Sequence, residues 1–188
     1  MPSSAEVVQA LYGTWRFARL DRSAMRFFDL SHHGVWRSFW AAALCYPLYV
    51  ILLLEDLDAD TITQSGFAHI LIVETIGFVT GWAAFPLIVL GFCRWLGREE
   101  QGFDFIVVYN WSQVLQTALF VLVALVIKPI FPAEVAPDID GLAYAATLAY
   151  EWFIALIAIG AGGWVALAFV LIDAVLGTIL LLIAQSLY

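Results

Sequence analysis

The sequence predicts an all-α, polytopic membrane protein: five transmembrane helices preceded by an N-terminal amphipathic interfacial helix. Three observations carry that expectation. Hydrophobic residues make up 63% of the chain and charged residues 13%, with a mean hydropathy of +0.92, whereas a soluble domain is roughly 25% charged. The run from Gly66 to Leu96 is apolar for longer than a globular core helix needs, since about 20 residues already cross the roughly 30 Å hydrocarbon layer. All seven arginines fall before the first apolar run, at its start, or in the loop 94–104, and only Lys128 lies elsewhere. The positive-inside rule then places the N-terminus and that loop in the cytoplasm, the acidic loops 55–65 and 129–141 outside, and the C-terminus outside, in an inner (cell) membrane.

Residues 1–30 read as the cytoplasmic interfacial segment. Ser3 to Glu6 offers a capping box, and Val8, Leu11, Trp15 and Ala18 follow at helical steps. Arg16, Arg19, Arg22 and Arg26 form the expected second face, on which anionic headgroups would settle while Trp15 sits at the interface. The plain reading is a topology anchor; the sharper one is a docking surface for a partner or a specific lipid. Asp29 to Gly34 leads into the transmembrane domain, 31–188, with Ser31 as N-cap. His32 and His33 point in diverging directions on a helix, so they are not read as a metal site.

The five spans are expected at about 35–54, 67–94, 104–127, 142–161 and 164–186. The first keeps no cleavage site after it and reads as a signal anchor. Glu74 lies inside the second and shares a face with Gly77 and Gly81, the G-x-x-x-G spacing at which a second helix approaches closely. The third is polar in its first half, with Asn110, Gln113 and Thr117 on one face. The fourth and fifth form a hairpin through Gly160 to Gly163 and carry Glu151 and Asp173 near their middles. Gly162 and Gly177 share the faces of these acids and are expected in helix contacts. Cys45 and Cys93 fall in apolar runs and read as small apolar residues.

The five spans, the N-terminal segment and the stretch EWFIALIAIGAGGWVALAFVLID (Glu151 to Asp173) resemble the bacterial branch of the Yip family of membrane proteins. So do Phe28-Asp29-Leu30-Ser31 and the following Gly34-Val35-Trp36-Arg37-Ser38-Phe39-Trp40. The Asp-Leu-Tyr-Gly-Pro signature of the eukaryotic members is absent, so no trafficking or GTPase-binding role is carried over, and no catalytic residue is either.

Glu74, Glu151 and Asp173 have no Lys or Arg at their depth. An ionised carboxylate near the bilayer centre costs at least about 2.5 kcal/mol. The three are therefore expected to be neutral, hydrated or cation-bound, and to converge at similar depth, with Asn110 and Gln113 beside them. Either they are interhelical glue, or they form a proton or cation site. The sequence holds no phosphate loop, no His-Glu-x-x-His and no nucleophile with a paired base. The expected function is therefore non-enzymatic: a membrane protein that assembles with or organises other membrane components. The alternative is a small proton- or cation-coupled transporter or channel subunit. Membrane lipids, and a membrane-protein partner or second copy, are the expected contacts; no cofactor, metal or nucleic acid is implied.

Overall fold

The segment with the least one-sided pattern, Glu99–Leu122, forms the helix at the centre of the molecule, and every residue from Phe105 to Ser112 is buried in it. A helix covered on all faces has no outer side to mark in its sequence. The computed structural model describes residues 1–188 and is all-helical, 87% helix without strands. In chain order the α-helices are α1 (Ser4–Ala18), α2 (His32–Ser38), α3 (Trp40–Asp56), α4 (Ala59–Ser65), α5 (Phe67–Trp95), α6 (Glu99–Leu122), α7 (Ala136–Ile159) and α8 (Gly163–Gln185). Around α6 pack α1, α2, α3, α5 and α7, and α8 lies between α5 and α7.

Five stretches are long and apolar enough to cross a membrane: His32–Asp56, Phe67–Trp95, Glu99–Ile130, Ala133–Ile159 and Gly163–Gln185. Their boundaries differ from the expected ones for local reasons. Between α2 and α3 the chain loosens at Phe39, the C-cap of one and N-cap of the other. The loop expected at 94–104 shrinks to a turn, where Gly97 takes φ +68° and the Arg98 N–H reaches the Cys93 carbonyl at 2.8 Å. Pro137, within the loop expected at 129–141, is helical: it sits in the first turn of α7, where a missing N–H costs nothing. The acidic loop 55–65 contains α4, capped by Asp58, whose carboxylate accepts from the Thr61 N–H at 2.8 Å.

The two ends of the bundle differ in charge. One carries all seven arginines, on the N-terminal segment, α2, the end of α5 and the α5–α6 turn; the other carries seven acids, on the end of α3, at the cap and in the first turn of α4, and before and in the start of α7, and Lys128. Lys128 sits between Glu55 (3.8 Å) and Asp140 (3.3 Å).

The N-terminal segment corrects the sequence reading. The capping box is present, with Ser3 and Glu6 bonded reciprocally, but α1 buries Ala10, Gly13, Thr14 and Phe17 and leaves Val8 and Trp15 exposed. Small residues decide the face, because they let α1 lie close on the bundle: Tyr150 of α7 donates to the Thr14 carbonyl at 2.9 Å, and Phe28 folds back over Gly13. Nor do Arg16, Arg19, Arg22 and Arg26 share one helix face. The helix ends at Ala18, Leu20 takes φ 59°, and Arg22 and Arg26 belong to a separate 3-10 turn, Arg22–Phe27. Arg16 turns inward to pair with Asp21 and lies 5.7 Å from the Tyr12 and Phe27 rings. Trp15, Arg19, Arg22 and Arg26 remain exposed.

Within the chain, of the glycines expected at helix contacts only Gly81 faces a neighbouring helix. A Cβ on Gly77, Gly162 or Gly177 would meet nothing within 4 Å, and one on Gly81 would meet only Leu180 Cδ1 at 3.4 Å. Gly162 instead supplies φ +98° for the α7–α8 turn. The glycines that close packing does require are Gly34, whose Cβ would fall 1.8 Å from the Asp29 carbonyl oxygen, and Gly102, whose Cβ would fall 2.8 Å from that of Cys93.

Candidate functional site: an acid and tyrosine cleft

A cleft of about 280 Å³ opens between α3, α5, α6 and α8. Its polar lining is Tyr49, Glu74, Tyr109, Gln113 and Asp173, set among Phe78 and Trp82 and the bare backbone of Gly77, Gly81 and Gly177. Gly77, Gly81 and Gly177 thus leave room for the cleft.

Each lining acid is held by tyrosine. Glu74 on α5 is 5% exposed; one of its oxygens accepts from Tyr49 of α3, and the other from Tyr188, just past α8, at 2.7 Å. Asp173 on α8 accepts from Tyr109 of α6 at 2.8 Å. A buried phenol needs an acceptor and a buried carboxylate needs donors, so these pairings satisfy both. Next to Glu74, Tyr46 and Thr75 bond at 2.7 Å.

Glu151 on α7 stands behind Asp173. It is 3% exposed, and its Oε1 has no hydrogen-bond partner. The Glu151 and Asp173 carboxyls lie within hydrogen-bonding reach of each other, with Tyr109 beside them. Asp173 lines the cleft and Glu151 does not.

A second cavity, about 530 Å³, continues from Tyr49, Glu74 and Leu181 toward the acid-rich end. It adds Asp56, Asp58, Thr61, Gln185 and Tyr188 to the wall. Glu74 therefore lies at the junction of a vestibule with acids at its mouth and a narrower cleft ending on Asp173.

The structure brings Glu151 and Asp173 together as the sequence suggested, but sets Glu74 apart from them. His69 Nε2 lies 3.0 Å from the Leu187 carbonyl, which fixes the register of α5 against α8. At about 1.5 Å per residue, Glu74 is then about 7 Å below that level and Asp173 about 21 Å below it. Similar depth is thus corrected to a two-step arrangement along one cleft. Gln113 lines the cleft as expected. Asn110 does not: its Nδ2 donates to Ser38 Oγ of α2 at 2.8 Å, on the face of α6 turned to α2, and its Oδ1 is without a partner. The sequence reads Tyr49 only as interface and packing material of the first span, and gives Tyr109 and Tyr188 no role. The available signal was a phenol inside or beside an apolar run, which must find a polar partner there.

No three His, Cys, Asp or Glu side chains converge in a way that could hold a metal ion. Fold and site together define a bundle of five helices of membrane-spanning length with an acidic, tyrosine-lined cleft reached from one end. No family model matches the chain, and neither a curated protein nor a solved structure proves similar to it.

Proposed function

We propose that the chain is a non-enzymatic integral protein of the cell membrane that admits a proton or small cation from outside into the cleft, in the manner of a small transporter or channel subunit. The observation that carries this reading is the continuity of polar groups from Asp56 and Asp58 through Glu74 to Asp173. Glue between helices needs polar contacts but no connected space.

Insertion is supported by the distribution of side chains. Leu87, Leu171 and Leu182 are more than half exposed, while Asn110, Ser112, Thr147 and Glu151 are buried, the reverse of what water would select. Trp36, Trp95 and Trp164 are exposed at the arginine-rich end, as expected of a headgroup-level belt on the cytoplasmic side. This orientation puts Arg19, Arg22 and Arg26 against anionic headgroups and the mouth of the cleft outside. The same topology suits a bacterial Yip-type protein, the family that Glu151 to Asp173 and Phe28 to Trp40 resemble.

The test is thiol labelling. Gly77→Cys and Gly177→Cys, made singly in a chain whose Cys45 and Cys93 are buried, should react with a membrane-impermeant reagent added outside intact cells. Reaction only from the cytoplasmic side would reverse the orientation, and no reaction from either side would remove the hydrated cleft. A second reading, assembly with a partner helix or second copy, is favoured by the open space over Gly77 and Gly177. It predicts cross-linking between copies or to a partner through those same cysteines.

A further inference from the structure

We infer that Glu151 and Asp173 form a proton-binding pair, one proton shared between the two carboxyls and loaded through Asp173 from the cleft. The inference rests on the cleft being hydrated, and it adds the identity of the ligand. Its starting point is the orphaned Glu151 Oε1, fully buried and without a donor. A carboxylate oxygen taken out of water and left unpaired is costly, and the missing partner here is a hydrogen atom. Asp173 can supply it, because its carboxyl lies within reach of Glu151.

The two carboxyls differ in access, which gives each a task. Asp173 faces the cleft, and its Oδ1 is occupied by the Tyr109 hydroxyl; a proton arriving from water in the cleft therefore meets its other oxygen. Glu151 is shielded from the cleft, so it takes the proton by a hydrogen bond across the pair. On return, the proton leaves Asp173 for cleft water and the pair resumes its charge. The groups facing the pair are Tyr109 from α6 and Thr147 one turn earlier on α7. No basic group competes: Lys128 is paired at the acid-rich end, and the arginines are at the opposite end. Thr147 does not serve Glu151, since its hydroxyl donates to the Tyr144 carbonyl at 2.8 Å. A bound metal ion fits less well, because Glu151 has no opening to the cleft through which a hydrated ion could reach it.

Infrared spectroscopy of the full chain in liposomes tests this directly. At neutral pH the wild-type protein should show a protonated-carboxyl C=O band that shifts in D₂O and is unchanged when sodium is exchanged for potassium or choline. Glu151→Gln should abolish the band. Asp173→Asn should leave it, now on Glu151 alone, with slowed exchange into D₂O. Absence of the band from the wild-type protein would overturn the inference without recourse to any variant, as would its disappearance on adding sodium or potassium. If the band is present while Gly77→Cys and Gly177→Cys stay unlabelled from both sides, the shared proton stands and the transport reading fails.

Discussion

Carboxylates at the arginine-rich end and carboxylates in the interior are satisfied in opposite ways. Near the N-terminus the partners are local. Glu6 binds back to Ser3, Asp21 accepts from the Ser23 N–H and hydroxyl at 2.9 and 2.8 Å, Asp29 accepts from the Ser31 N–H at 3.1 Å, and Arg16 and Arg37 complete the set. In the interior, Glu74, Asp173 and Glu151 have no such neighbours. Their partners come from other helices, are uncharged, and leave one oxygen empty. Saturated local networks hold a segment in place, whereas an unsaturated one keeps capacity for a ligand. The glycines divide the same way: Gly34 is required by a backbone that touches it, while Gly77 and Gly177 border empty space.

The largest expected effect lies in the saturated region. Gly34→Ala would put a methyl group 1.8 Å from the Asp29 carbonyl oxygen, a collision with backbone that only a shift of the Phe28 to Ser31 connection relieves. A cost of about 3 kcal/mol follows. Thermal unfolding in detergent should fall accordingly, and α1 should lose its protection in hydrogen exchange. A Gly34→Ala protein as stable as the wild type would break the comparison at its strongest point.

Ser38→Ala comes next. Ser38 is fully buried and accepts the only hydrogen bond of the buried Asn110 amide group. Removing it strands that donor beside an Oδ1 already without a partner, at roughly 2 kcal/mol. Because neither Ser38 nor Asn110 lines the cleft, Gly77→Cys labelling should be unchanged while stability drops, which separates structural polarity from the cleft.

Acid should release the N-terminal segment before it disturbs the bundle. The Ser23 hydroxyl and N–H, then Arg16, hold Asp21 down from its ordinary 3.8 to about 2. Ser31 lowers Asp29, and Ser3 lowers Glu6. A carboxylate with a depressed folded-state pKa contributes stability that is fully present above its ordinary value and lost as pH falls through the folded value. The docking of α1 should therefore hold at neutral pH and weaken between pH 3.8 and about 2, the window set by Asp21. Hydrogen exchange in acid steps would show protection lost over residues 4–28 first; simultaneous loss in α6 would contradict the separation.

Much of this architecture is legible in the residues, and the rest is hidden for definite reasons. Hydropathy marks the five long helices because their exposed surfaces must be apolar, and arginine placement marks one end. The centrality of α6 leaves no periodic trace, since buried residues occupy all its faces. On α1 the eye follows Val8 and Trp15, while close packing selects Ala10, Gly13 and Thr14, which score poorly as apolar residues. G-x-x-x-G spacing states that a face is thin without saying whether a helix or a void lies against it. The Glu151 and Asp173 pairing could be read from the hairpin, but Tyr49 and Tyr188 reach Glu74 from far along the chain, and no local pattern announces that.

The smallest change in stability should come from Gly77→Ala, and it is the most informative about the cleft. A glycine in a helix interior costs about 0.5–1 kcal/mol relative to alanine, through the extra freedom of the unfolded chain. A Cβ at this position meets nothing within 4 Å, so no clash offsets the gain, and Gly77→Ala should leave stability unchanged or raise it slightly. If the glycine persists to hold a contact, the same change must destabilise. If instead it keeps the cleft wide between Glu74 and Asp173, a larger side chain such as Gly77→Leu should still fold yet slow D₂O exchange at the carboxyl pair, by filling the space water would use. Stability retained with exchange slowed places the glycine's purpose in the cleft; stability lost with exchange unchanged would return it to helix packing.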